Sequence, residues 1–225
     1  MRQLLSQVLL SAVALGAANA AHAGAVYLDR SAFNAAIAPQ TTIDFQAQDT
    51  SSGGFTSYGS GLTVSGVTFK DPATGYLYVA DSSAVSPSYD WGSGASLLFG
   101  PASEGGDLVI TLPSNTFSFG VDFMAEADGH ADETAGEMFT FMVNGVSYSE
   151  SSLKRPGRAF FGLSSDTAIT SIIISMPATS LPFRVLPIID NFSFSSATGN
   201  TVPEPGELGL VGVALLGLAW ARRRA

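Results

Sequence analysis

Between its two ends the chain is a succession of short runs in which apolar and polar residues alternate, punctuated by Gly, Asn, Pro and Ser. A period of two sends successive side chains to opposite faces, the arithmetic of a strand and not of a helix. In "FSFGVDF" it puts Phe117, Phe119, Val121 and Phe123 on one face, predicted to be core, and leaves Ser118, Gly120 and Asp122 to face outward or into a second layer. Runs at 41–46, 62–70, 76–80, 96–100, 107–112, 117–125, 138–149, 158–164, 168–176 and 188–195 read as strands. Inside "MFTFMVNGVSYS", Asn144-Gly145 supplies the two positive φ angles of a type I′ turn, so this run is predicted to fold back as a hairpin. Only "SAFNAAIA" (Ser31 to Ala38) has helical spacing, with Ser31 as the expected N-cap, Phe33 and Ile37 on one face, and Pro39 as the stop. Many short strands at this spacing predict an all-β fold of two packed antiparallel sheets.

Composition narrows the function. A chain of 225 residues with its ends set aside fits one domain, here bounded at 24–198. Charged residues are only 13% of the chain, and the formal charge is −9. From Gly24 to Val202 there are six basic and seventeen acidic residues, a formal charge of −11 with no basic stripe, which excludes DNA and RNA as partners. Cysteine is absent, which rules out thiol catalysis and Cys-zinc sites.

The termini carry addresses. Residues 1–23 have one basic residue at Arg2, an apolar stretch and then Ala21-His22-Ala23, a small-x-small pattern that signal peptidase accepts. Cleavage is expected after Ala23; the alternative is a buried N-terminal helix of the mature fold. At the other end, residues 199–225 form a linker and tail. Leu208 to Ala221 is an expected apolar helix of 14 residues, short of the roughly 20 that span a bilayer comfortably, followed by Arg222, Arg223 and Arg224, which resist translocation. Pro203 and Pro205 keep Glu204 extended and accessible to a protease.

Pro203-Glu204-Pro205, a Leu/Gly-rich segment and a terminal arginine cluster, in that order and opposite a signal peptide, resemble the PEP-CTERM sorting signal of Gram-negative bacteria. The resemblance implies transient residence in the inner membrane, recognition and cutting near Pro-Glu-Pro by exosortase, and delivery of the body to the cell surface or biofilm matrix. The alternative is a permanent tail anchor. The order of short motifs in the body, from "FNAAI" through "FGVDF" to "IIDNFSF", also resembles the extracellular domains that precede such tails. That resemblance implies a jelly-roll-like β-sandwich related in shape to carbohydrate-binding modules.

Catalytic chemistry finds little foothold. His130 is the only histidine after residue 23, there is no Gly-x-Ser-x-Gly elbow, and no catalytic residue is assigned. Carboxylates are plentiful, so a glycosidase or other hydrolase stands as the enzymatic alternative. Two acidic constellations are weighed for a structural Ca²⁺. One is the loop "MAEADGHADETAGE", with Glu126, Asp128 and Asp132 as oxygen donors, against a solvated loop. The other is implied by the sandwich resemblance: first and last strands lie side by side, so that Asp44 meets Asp190 and Asn191, although Gln46 stands where relatives often place an acid. Its alternative is that Asp190 and Asn191 satisfy backbone donors. For sugar, "SPSYDWGSG" and "GYLYV" place Tyr89 with Trp91 and Tyr76 with Tyr78 at period two, a platform for exopolysaccharide or else ordinary edge-of-core packing. The expectation is an exported surface or matrix protein, structural or binding in role, with a carbohydrate-binding module as its alternative.

Overall fold

The computed structural model describes residues 24–49, 54–59, 61–81, 94–100, 106–127, 136–153, 157–177 and 185–196. Among the described residues fourteen strands and one α-helix are formed, besides a short 3-10 turn at Gln46–Gln48: β1 (Val26–Tyr27), α1 (Arg30–Ala36), β2 (Thr41–Ile43), β3 (Phe55–Ser57), β4 (Leu62–Val64), β5 (Val67–Lys70), β6 (Tyr78–Asp81), β7 (Ala95–Leu98), β8 (Asp107–Thr111), β9 (Ser118–Ala127), β10 (Met138–Val143), β11 (Val146–Ser151), β12 (Ala159–Ser164), β13 (Ser171–Ser175) and β14 (Val185–Ser195). Eight strands make one sheet in the order β1-β12-β9-β14-β7-β6-β3, with β2 also on β14; six make the other in the order β11-β10-β13-β8-β5-β4. All the pairings are antiparallel.

The core lies between the sheets and is built from the alternating faces. Phe119, Val121 and Phe123 of β9 meet Phe139 and Phe141 of β10 and Phe161 of β12, the rings of Phe141 and Phe161 stacking at 4.3 Å between centroids. Phe117, expected in the same row, is only half-buried just before β9 begins. The predicted hairpin forms as expected: Asn144 and Gly145 have φ of 49° and 82°, and Val143 faces Val146.

Three expectations need correction. The run at 62–70 is a hairpin, because Ser65 and Gly66 adopt φ of 51° and 80° and fold β4 onto β5. β1 and β3 have no counterpart among the ten expected runs, since two or three residues carry no measurable alternation. The helix is capped by Asp29, whose carboxylate accepts from Ala32 N at 2.8 Å and from the Ser31 hydroxyl, so Ser31 is the second helical residue and Asp29 takes the place expected for it.

The outward row of β9 does enter a second layer. Gly120 of β9 faces Gly162 of β12, and over this pair α1 lays Phe33, packed with Ile37 and Phe160. The missing side chains are the reason it fits: a Cβ on Gly120 would stand 2.7 Å from Phe160 Cζ and 3.0 Å from Phe33 Cε1. Farther along the same outer face, Ala80, Leu98, Met124, Leu186 and Ile188 form a separate buried apolar cluster. Among the described residues no helix is long and apolar enough to cross a membrane; 1–23 and 199–225, with the expected signal and tail helices, lie outside them.

Candidate functional site

Where α1 meets the outer face of the eight-stranded sheet, the apolar layer gives way to charge. β9 contributes Asp122, and β14 contributes Asp190 directly opposite it. The register of β14 against β9 then slips between Asp190 and Ser193, with Asn191 in the left-handed region at φ 48°. This bulge keeps both Asp190 and Ser193 on the outer face while Phe192 stays in the core. Asparagine suits that conformation because its short amide tolerates positive φ and bonds locally.

Two arginines close the cluster. From the first residue of α1, Arg30 donates through Nε to Asp122 Oδ1 at 2.8 Å, through Nη2 to the Asn191 carbonyl at 2.9 Å and through Nη1 to Ser193 Oγ at 3.2 Å. Its guanidinium lies 4.6 Å from the centre of the Phe160 ring. Asn191 Nδ2 donates to Asp122 Oδ2 at 2.9 Å, and Asn191 N to Asp190 Oδ1 at 2.7 Å. Arg158 pairs with Asp190 Oδ2. Burial pushes the Asp190 carboxyl up to about 6; the attraction of Arg158 opposes this and the nearby Asp122 charge adds to it.

Every carboxylate oxygen of Asp122 and Asp190 thus accepts from an arginine or from Asn191. The cluster works as a clamp that fixes α1 and the end of β14 to β9, with its charge balanced in place. Beside it a cleft of about 370 Å³ is lined by Leu28, Asp29, Arg30, Glu150, Leu153 and Arg158, among others.

The expected Ca²⁺ donors fare unequally. β2, the first of the expected strands, does lie on β14, with Ile43 opposite Phe192, while β1, the first strand formed, pairs with β12. The Asp44 carboxylate, however, is exposed and accepts from Gln46 N at 3.2 Å, closing the turn after β2. Asp190 and Asn191 instead serve the arginine clamp. Glu126 is fully buried on β9 opposite Leu186, while Asp128 and Asp132 lie outside the described residues. No group of three or more His, Cys, Asp or Glu suited to a metal occurs among the described residues.

The aromatic residues gather at the β3 edge of the same sheet. Tyr76 and Tyr78 have ring centroids 4.5 Å apart, and Phe55 of β3 meets Tyr78 edge-on at 6.1 Å. Both tyrosines are half-buried against the outer apolar cluster, and Phe55 is 41% exposed. Tyr89 and Trp91, expected to join such a platform, lie outside the described residues. Sequence reasoning missed Phe55, which stands alone in a Gly/Ser-rich stretch and reaches Tyr78 only because β3 pairs with β6. It also missed Arg30 and Arg158, whose partners lie 92 and 32 residues away.

Residues 201–224 match the model of the PEP-CTERM protein-sorting motif. The chain carries the signal of an exported protein sorted by exosortase, and Pro203, Glu204, Pro205 and Arg222 to Arg224 fall within the matched segment. No curated protein matches the chain.

Proposed function

We propose that this protein is a structural or binding component of the cell surface or extracellular matrix of a Gram-negative bacterium. In this reading signal peptidase cuts after Ala23, the tail holds the chain briefly in the inner membrane, and exosortase severs it near Pro203-Glu204-Pro205. The carrying observation is the sorting motif at 201–224 placed after a β-sandwich-like body. A jelly-roll-like module that binds rather than reacts agrees with carboxylates held by arginines and backbone, an arrangement that leaves neither Asp122 nor Asp190 poised as a free acid or base. The test is mass spectrometry of the surface or secreted form from the native host. A body ending near residue 203 is expected; an exported chain that retains Arg222 to Arg224 would refute processing.

The second reading, recognition of exopolysaccharide, is favoured by the Phe55, Tyr76 and Tyr78 cluster, since sugar rings stack on aromatic faces that carry a polar edge. A glycan array comparing the wild type with Phe55→Ala and Tyr78→Ala is expected to show binding that both variants lose. Equal binding by all three would clear these residues of the role.

A further inference from the structure

The strands that have a single partner are not alike. β1, β2, β3 and β4 are two or three residues long, the usual way a sheet edge is kept from recruiting another chain. β11 is the exception: six residues, Val146–Ser151, at the outer edge of the six-stranded sheet. It has no Pro and no Lys or Arg, and its one charged residue is Glu150.

The hairpin fixes which of its backbone groups are used. A two-residue turn at Asn144-Gly145 makes Val143 and Val146 a hydrogen-bonded pair, so that Phe141 with Tyr148 and Phe139 with Glu150 follow in the same phase. The N–H and C=O groups of Ser147, Ser149 and Ser151 therefore point away from β10. All three residues are exposed, and none of these backbone groups has a partner among the described residues. Their side chains are small and leave room for an incoming strand.

We propose that β11 pairs antiparallel with β11 of a second copy of this chain, about a two-fold axis through Ser149, joining two six-stranded sheets edge to edge. The sequence is self-complementary in that register. Ser149 meets Ser149, and Ser147 meets Ser151 on both sides, so the outward N–H and C=O groups of each copy satisfy those of the other. Glu150 falls opposite Tyr148 and not opposite its own copy, so two acidic bodies join without placing like charges face to face. Met138 and Met142 lie on the face that carries the three serines, opposite Ser151 and Ser147 on β10, and are 40% and 37% exposed. Two-fold pairing brings these apolar side chains toward the joint from both copies. Among the described residues each copy has one such edge, so the assembly closes at two.

The chain has no cysteine, so Ser149→Cys gives the full-length protein a single thiol. Hydrogen-bonded partners on an antiparallel pair have Cα atoms about 5.5 Å apart, within reach of a short bis-maleimide. The purified full chain carrying Ser149→Cys, in one detergent, is expected to cross-link mostly to dimer, while Thr63→Cys on the exposed edge strand β4 remains monomeric under the same treatment. Because tail contacts are common to both variants, they cannot produce the difference. Ser149→Pro removes an outward N–H that the monomer does not use, and is expected to weaken dimerisation at least tenfold by analytical ultracentrifugation with no loss of melting temperature. Equal cross-linking of the two cysteine variants would overturn the proposal, as would wild-type dimerisation by a folded Ser149→Pro.

Discussion

Arg30 Nε and Asp122 Oδ1 stand 2.8 Å apart although 92 residues separate them, and this pair ties the only α-helix among the described residues to the middle of the eight-stranded sheet. The guanidinium is forked across two strands, since it also reaches the Asn191 carbonyl and Ser193 Oγ on β14. A single planar cation therefore holds α1, β9 and β14 in register.

Arg30→Ala should lower the unfolding free energy by about 2 kcal/mol, the order expected when a part-buried carboxylate loses charge-assisted hydrogen bonds. Arg30→Lys should recover little of it, because an ammonium cannot serve Asp122, Asn191 and Ser193 together. Urea unfolding of the three proteins checks both statements. A lysine variant as stable as the wild type would mean that charge alone matters at this position.

Gly120→Ala should destabilise through overpacking. The added methyl meets Phe160 Cζ at 2.7 Å and Phe33 Cε1 at 3.0 Å, in a layer where both rings are held between the helix and the sheet. The expected cost is about 1–3 kcal/mol. Calorimetry should show a clear drop in melting temperature, and an unchanged one would show that α1 can lift off freely.

Asp190 gives the fold a pH dependence whose sign can be worked out. Its carboxyl is raised by burial to about 6 in the folded protein, from 3.8 without the fold, so between those values the native state holds a proton that the unfolded chain has released. This contribution is fully present below pH 3.8 and is lost as pH rises through about 6, amounting to about 3 kcal/mol at most. Asp190→Asn should remove that component of the slope between pH 4 and 6, as read from urea midpoints. A slope identical in both proteins would place the titrating group elsewhere.

Gly145→Ala should cost about 1–2 kcal/mol, because an L-residue is strained at φ 82°. A Cβ there meets nothing within 4 Å, so the penalty isolates backbone conformation from packing. Chemical denaturation measures it directly; a neutral result would show that the turn can change type without loss.

The candidate site was legible only in part. Asp190 and Asn191 stand out in the sequence as a polar pair inside an apolar strand, and Tyr76 with Tyr78 as aromatics two apart. Each is a local signal. What the acids do is not local: Asp190 sits with Arg158 and Asp122 because β14 lies beside β9, and the Arg30 side chain reaches both strands from a helix packed over β9 and β12. Without those partners in view, local pattern leaves Asp190 and Asn191 open to a metal or to backbone donors alike.

The sequence by itself determined the strand faces, the hairpin at Asn144-Gly145, the burial of Phe33 on α1 and of Ile37 just after it, and the sorting signal at the C-terminus. Each depends on residues within one turn or one strand of each other, where alternation, positive φ and side-chain size act directly. Tertiary structure alone decided that Gly120 and Gly162 form a floor for Phe33, that Phe55 completes the aromatic edge and that β11, paired only with β10 among the described residues, becomes a long edge. Those are outcomes of strand order, which is set when distant segments compete to bury the same faces, and no local pattern encodes the winner.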